Sequence, residues 1–244
     1  MTELNIGRAA RPPTQRVRMT TGRFARVFFT DNFARFYLVT SVALTAAALV
    51  AFGVTWGMAL AALASLTLLS LLEYVIHRWL LHNQIFYRHP LTARVWRHLH
   101  YAHHMDPTET GGMIGPPQYA IPVMLLVTLP LGWLIGGWAG AAGAAAVGFW
   151  LVLAYEYCHG YAHLVTEPRT RYGKMLRHLH MLHHFHNEKG NFGVTSPMFD
   201  LIFGTHYSDP AKMARCATAR NLGYTAEQQR RFPWAGQGDV KPAE

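Results

Sequence analysis

The sequence predicts an all-α integral membrane protein with four transmembrane helices arranged as two hairpins. Residues 36–77 contain a single acidic residue and no lysine or arginine, and residues 119–158 repeat this pattern. Each stretch is roughly 40 residues long, which fits two spans of about 20 residues across the hydrocarbon core of a bilayer. A soluble protein with a buried helical core is the alternative, but core helices are shorter than these runs.

The basic residues predict the orientation of these spans. All 22 lysines and arginines lie in residues 1–35, 78–118 or 159–244, and the expected hairpin turns near residues 52–57 and 136–138 carry none. Loops rich in lysine and arginine stay on the cytoplasmic side. We therefore expect a multi-pass integral membrane protein with both termini and the active site in the cytoplasm, located in the plasma (inner) membrane if the protein is bacterial.

Composition supports this organisation and limits the classes of partner that we expect. Charged residues make up 14% of the 244 residues, below the roughly 25% of soluble domains. The formal net charge of +9 would suit nucleic acid, but the topology already explains it, so no nucleic acid partner is expected. We predict a basic cytoplasmic N-terminal segment at 1–35, a membrane-embedded domain at 36–206 and an irregular, solvated cytoplasmic tail at 207–244.

Histidines form four clusters at or beyond the cytoplasmic ends of the predicted spans. The phrase RHLHYAHH at residues 97–104 returns as RHLHMLHH at residues 177–184, and each copy follows another histidine pair. Positions i, i+3 and i+4 of an H-x-x-H-H run share one face of a helix. The ten clustered histidines are His77, His82, His100, His103, His104, His159, His163, His180, His183 and His184.

These clusters indicate metal binding. Neutral imidazole is the commonest protein ligand for transition metals, whereas a structural zinc site usually takes four ligands. Ten ligands therefore suggest two metals with about five nitrogens each, in a helical cap on the cytoplasmic side. His77 and His82 are separated by five positions, about 140° on an ideal helix, so we expect a helix end or kink between them.

Two carboxylates within the spans are candidates for supporting the ligands. Glu73 lies one helical turn before His77, and Glu156 lies three positions before His159. A carboxylate in lipid usually faces a partner inside the bundle, and a carboxylate that accepts the second ring N–H orients a metal-bound histidine. We predict this role for both, with an interfacial position or direct metal ligation as the alternatives. The other five histidines, His89, His98, His178, His186 and His206, are not predicted ligands.

At these residues the chain resembles the fatty acid hydroxylase and sterol desaturase superfamily of membrane di-metal oxygenases. The order of the four histidine clusters carries the resemblance, together with Phe192–Ser196, Phe199-Asp200 and Phe203–Thr205 after the last cluster. That stretch, and residues 73–79, are most similar to the fatty-acid 2-hydroxylase branch. One departure is Tyr155-Glu156, where those enzymes tend to have Tyr-Asp.

The resemblance implies a non-haem di-iron monooxygenase that uses dioxygen to hydroxylate a C–H bond of a membrane lipid, with a fatty acyl chain as the leading substrate. The ten histidines would hold two iron ions, which zinc could replace on purification because it binds the same ligands tightly. Two electrons must come from a separate ferredoxin or cytochrome with its reductase, since Cys158 and Cys216 are too few for an iron–sulfur cluster.

The same residues leave other functions open. A desaturase, or a hydroxylase of sterols, carotenoids or lipid headgroups, would share the histidine pattern. A zinc hydrolase needs only about three histidines per metal. A metal transporter is the non-enzyme alternative, but it would place its ligands near the middle of the bilayer.

Overall fold

The computed structural model describes residues 20–107, 114–164 and 168–236, and this part of the chain is helical without a β-strand. Two π-helical segments, Ile76–Leu81 and Arg97–Tyr101, follow directly on α-helices. The α-helices are α1 (Thr21–Phe28), α2 (Asn32–Phe52), α3 (Trp56–Val75), α4 (Ile85–Arg88), α5 (Pro90–Trp96), α6 (Ala102–Met105), α7 (Pro117–Ala162), α8 (Arg171–Phe185), α9 (Met198–Ile202) and α10 (Ala226–Arg231). Two 3₁₀ turns, Pro210–Lys212 and Pro233–Ala235, complete the described elements.

Three helices are long and apolar enough to cross a membrane: Asn32–Phe52, Trp56–Leu81 and Pro117–Ala162. The third has 46 residues, about twice what a bilayer needs. It is broken inside, because Gly136 and Gly137 leave helical geometry and Gly137 takes a φ of 59° that favours glycine. The sequence had predicted a turn at these glycines.

The chain forms two compact units. The unit of residues 20–73 and 114–159 contains most of the apolar helices. Asp31 caps α2 by accepting hydrogen bonds from the Phe33 and Ala34 amides. In the same unit Phe24 and Phe28 of α1 are buried, and both rings pack at 5.2 Å from Tyr157.

The described part of the other unit comprises residues 74–107, 160–164 and 168–236, and it contains nine of the ten clustered histidines. Its aromatic core includes side chains from the C-terminal region, where the sequence predicted a solvated tail. Tyr224 is 1% exposed and packs on Tyr87 and Trp96, while the Trp234 indole donates to the Tyr87 carbonyl at 3.2 Å. The prediction of a solvated tail was therefore wrong for this region.

Candidate metal centre

A π-helical turn joins the first histidine pair. α3 continues into the π-helix Ile76–Leu81, and the His82 amide donates to the His77 carbonyl, five positions earlier, at 3.2 Å. Residues five apart align in a π-helix, whereas they diverge in an α-helix. The two ring centroids lie 4.9 Å apart. The helical irregularity that the spacing required is therefore a change of helix type rather than a sharp kink.

Five histidines form the first group, and their ligand nitrogens lie within 4.8 Å of one another. The Nε2 atoms of His82 and His100 face each other at 2.8 Å. The Nε2 atoms of His104 and His183 are buried without a hydrogen-bond partner among the described residues. Converging nitrogen lone pairs without protein donors are what a metal ion requires, so the residues fit a metal. The first group consists of His77, His82, His100, His104 and His183.

Backbone carbonyls orient three rings of the first group. Since a carbonyl can only accept, each Nδ1 must carry the proton and donate it. This leaves each Nε2 with a lone pair toward the centre of the group, which is how partners of metal-ligating histidines act. The Nδ1 atoms of His77, His104 and His183 bond the carbonyls of Phe192, Ala219 and Gly190 at 2.5, 2.8 and 2.8 Å.

The second group comprises His103, His163, His180 and His184 in the same unit, and their ligand nitrogens also lie within 4.8 Å of one another. The His180 Nε2 atom lies 2.8 Å from that of His163 and 3.1 Å from that of His184. The remaining predicted ligand, His159, is the last residue of the other unit. It precedes His163, the residue directly after α7, by four positions.

The two H-x-x-H-H runs exchange their middle histidines between the groups. In the first run His100 and His104 belong to the first group, while His103 belongs to the second. In the second run His180 and His184 belong to the second group, while His183 belongs to the first. Each group therefore takes ligands from both runs, which helical periodicity alone did not indicate.

Burial keeps the rings in the form that binds metal. Removal from water lowers the pKa of five of the predicted ligands because it disfavours imidazolium, and neighbouring imidazoles lower the pKa of four of these five further. These five rings are therefore neutral near pH 7 and need not release a proton to bind a metal. The pKa lies well below its usual value in His82, His100, His104 and His184, and it is also lowered in His183.

A buried carboxylate to which the sequence analysis assigned no role supports the first group. Asp200 is 1% exposed, and it accepts hydrogen bonds from the Phe192 and Gly193 amides at 2.9 and 2.7 Å and from the Thr205 hydroxyl at 2.6 Å. The Phe192 carbonyl accepts the hydrogen bond of His77 Nδ1. Asp200 therefore fixes the segment that orients this ligand. Phe199-Asp200 belongs to the stretch that resembles the family, but residue type alone does not indicate this role for Asp200.

The two predicted supporting carboxylates lie in the unit of residues 20–73 and 114–159. Glu156 is buried, and its described hydrogen-bond partner is the backbone of Gly115. A Cβ atom on Gly115 would lie 2.8 Å from Glu156 Oε1, so a larger residue at this position would displace the carboxylate. Glu73 is half-buried near the end of α3. The hydrogen bond from a ligand ring to either carboxylate stays a prediction.

The other five histidines belong to neither group. The rings of His178 and His186 donate to the carbonyls of Ser208 and Met213 at 2.7 and 2.6 Å. His89 caps α5 by accepting from the Leu91 amide. His98 is exposed and His206 is half-buried.

Comparison with known proteins places these features in a family. The fatty acid hydroxylase family model matches residues 62–205. The ceramide very long chain fatty acid hydroxylase SCS7 of Saccharomyces cerevisiae is 29% identical over 160 residues, which cover 60% of this chain and 38% of that protein. The dihydroceramide fatty acyl 2-hydroxylase FAH2 of Arabidopsis thaliana is 31% identical over 163 residues, with coverages of 64% and 60%.

The human fatty acid 2-hydroxylase is 31% identical over 144 residues, which cover 56% of this chain and 36% of that protein. The matches thus span between about a third and three fifths of these relatives' own lengths. A solved structure of full-length Scs7p, in which only the hydroxylase domain is visible, superimposes with a TM-score of 0.62 at 23% identity. It covers 74% of this chain and 66% of that one, so the two share a fold.

Proposed function

Because the chain belongs to the fatty acid hydroxylase family, we propose that it is a membrane-bound di-iron monooxygenase that hydroxylates a C–H bond in the acyl chain of a lipid. The observation that carries this proposal is the pair of histidine groups, each built from both H-x-x-H-H runs. A single structural metal ion would need only one group of about four ligands.

The donor set is consistent with iron. Imidazole suits iron, copper, nickel and zinc, and the family's reaction needs a metal that changes oxidation state, which zinc does not. When bound, two iron ions would transfer electrons to dioxygen, so that one of its oxygen atoms is inserted into the C–H bond. The balance is one C–H bond, one dioxygen, two electrons and two protons, giving one alcohol and one water.

The protein supplies the ligands and an apolar wall beside them. The buried ring of Phe192 lies 5.7, 5.3 and 5.6 Å, between centroids, from the rings of His77, His82 and His183. This ring excludes water from one side of the first group. It would also suit an apolar substrate, since a hydrocarbon chain next to it loses no hydrogen bonds.

An exposed apolar surface supports a lipid substrate, and the ring of Tyr74 connects it to Phe192, since it packs on Phe192 at 5.8 Å and on Phe203 at 5.1 Å. Leu201 and Ile202 of α9 are 61% and 63% exposed, and Phe203 packs on Trp79 at 6.3 Å. Trp79 lies at the end of the candidate span Trp56–Leu81, where tryptophan favours the membrane interface. The names of the yeast and plant relatives describe acyl chains of ceramide and dihydroceramide, and a fatty acyl chain is our leading candidate here.

The proposed topology has four spans, with a cytoplasmic helical cap that holds both metals. The break at Gly136-Gly137 divides the 46-residue helix into two parts, which we interpret as two crossings. Both termini then lie in the cytoplasm, as the distribution of arginine and lysine predicts. A ferredoxin or cytochrome with its reductase would deliver electrons to this face.

Cysteine labelling in whole cells tests the topology. In a background with Cys158→Ser and Cys216→Ser, we expect Val54→Cys and Trp138→Cys to react with a membrane-impermeant maleimide, because both lie at predicted external turns. A tag at either terminus should become accessible only after the membrane is opened. External accessibility of the termini in intact cells would overturn the four-span proposal.

Labelled dioxygen tests the reaction. The protein is expressed with a ferredoxin–reductase pair under ¹⁸O₂, and total lipids are analysed by mass spectrometry. We expect a hydroxylated acyl lipid that carries one labelled oxygen and is absent from cells expressing His163→Ala. A new double bond without label would identify a desaturase, while label from water would exclude an oxygenase.

A further inference from the structure

We propose that residues 213–224 form a strap that positions His104 and thereby controls how firmly the first histidine group retains its metal. The strap lies beyond residues 62–205, which match the family. The inference rests on the proposed function only in that the two histidine groups bind metal.

One end of the strap is fastened to the residues that follow the second histidine run. The Cys216 amide donates to the His186 carbonyl at 2.8 Å, and the Asn187 side chain donates to the Ala214 carbonyl at 2.8 Å. The Thr218 hydroxyl donates to the buried carboxylate of Glu188. These bonds hold the strap against the C-terminal end of α8.

The other end holds His104 by both its ring and its main chain. The Ala219 carbonyl accepts the His104 Nδ1 proton at 2.8 Å, and Arg220 Nε donates to the His104 carbonyl at 2.8 Å. A second guanidinium nitrogen of Arg220 donates to the Met105 carbonyl. These carbonyls lie at the end of α6, where helical partners are lacking.

Arg220 also connects the two runs. Its guanidinium carbon lies 5.6 Å from the centre of the Phe185 ring, directly after the second run, while its nitrogens bind the end of the first. The planar fork of arginine reaches two carbonyls at once, which the single ammonium of lysine does not do with the same geometry. Arg220 is therefore a positioning residue for His104.

The strap should act selectively on the first group. Its described hydrogen bonds to a ligand histidine fall on His104, and His104 belongs to the first group. Loss of a partner that orients a ligand weakens metal affinity by about 10–100-fold. Without the strap, the first metal should leave before the second.

The test measures metal in purified full-length protein loaded with iron or zinc. Metal per chain is determined by mass spectrometry before and during challenge with a chelator. We expect Arg220→Ala to bind one metal about 10–100-fold more weakly than the unaltered chain while it keeps the other, and Arg220→Lys to restore part of the retention. Adding His104→Ala to Arg220→Ala should remove no further metal, whereas adding His163→Ala should empty the protein.

Two control variants separate positioning from general stability. Arg230→Ala removes the same charge from an exposed position of α10, and Trp234→Phe removes a different hydrogen bond between the C-terminal region and the core. Both should retain metal like the unaltered chain. Equal loss of both metals in Arg220→Ala, or the same loss in Trp234→Phe, would overturn the strap. An unaltered chain that binds no metal would overturn the metal centre itself.

Discussion

Replacing His183 by alanine is expected to empty the first group, and replacing His103 is expected to empty the second, each with loss of hydroxylation. The reason is the exchange of the middle histidines. His183 belongs to the first group and His103 to the second, whereas the other two histidines of each run belong to the opposite group. Product formation should fall by more than about 100-fold, the upper end of the loss caused by residues that only support a ligand. Metal per chain and labelled product are the measurements.

A pair of double variants tests the exchange itself. His180→Ala with His183→Ala should remove both metals although both residues lie in one run, whereas His104→Ala with His183→Ala should remove only one. His89→Ala should leave the metal content unchanged, because this ring caps α5 and joins neither group. One remaining metal in the first double variant would contradict the assignment.

Replacing Asp200 by alanine should cause the largest loss of stability outside the histidines. Three donors would lose their acceptor, namely the Phe192 and Gly193 amides and the Thr205 hydroxyl. A buried donor without a partner costs about 1–3 kcal/mol, so the loss of an acceptor for three donors should lower the free energy of unfolding by about 3 kcal/mol or more. Unfolding in detergent and metal per chain measure the effect.

Two further variants serve as comparisons for Asp200→Ala. Asp200→Asn keeps one acceptor oxygen and should be milder. Asp209→Ala removes an exposed carboxylate that caps a 3₁₀ turn by accepting from the Ala211 amide, and such caps contribute about 0.5–2 kcal/mol. If Asp200→Ala were no more destabilising than Asp209→Ala, Asp200 would not support the histidine segment.

The sequence predicts much of this architecture because its strongest signals are local. Runs without charge indicate helices long enough to cross a membrane, and three such helices are present. The histidine clusters predicted a metal site because their residue type and spacing carry the chemistry. The five-residue separation of His77 and His82 even predicted a departure from α-helical geometry, which is the π-helix Ile76–Leu81.

Other features have no local signal. The partners of His77, His104 and His183 are backbone carbonyls, which every residue possesses, so residue type cannot identify them. The division of each run between two groups depends on tertiary packing rather than on periodicity. The C-terminal region reads as an irregular, polar segment, yet Ala219 and Tyr224 are buried through contacts more than 100 residues away in sequence.

The exchange of histidines also determines when each ligand set becomes complete during synthesis. The first group is incomplete until His183 has been synthesised, and the second until His180 and His184 have been synthesised, although the candidate spans end at Ala162. A nascent chain that has just produced its last apolar helix therefore lacks part of both ligand sets. Either ligand set can therefore be completed only after the apolar helices have been synthesised. Metal binding by a complete set is a late step of maturation and cannot guide the synthesis of these helices.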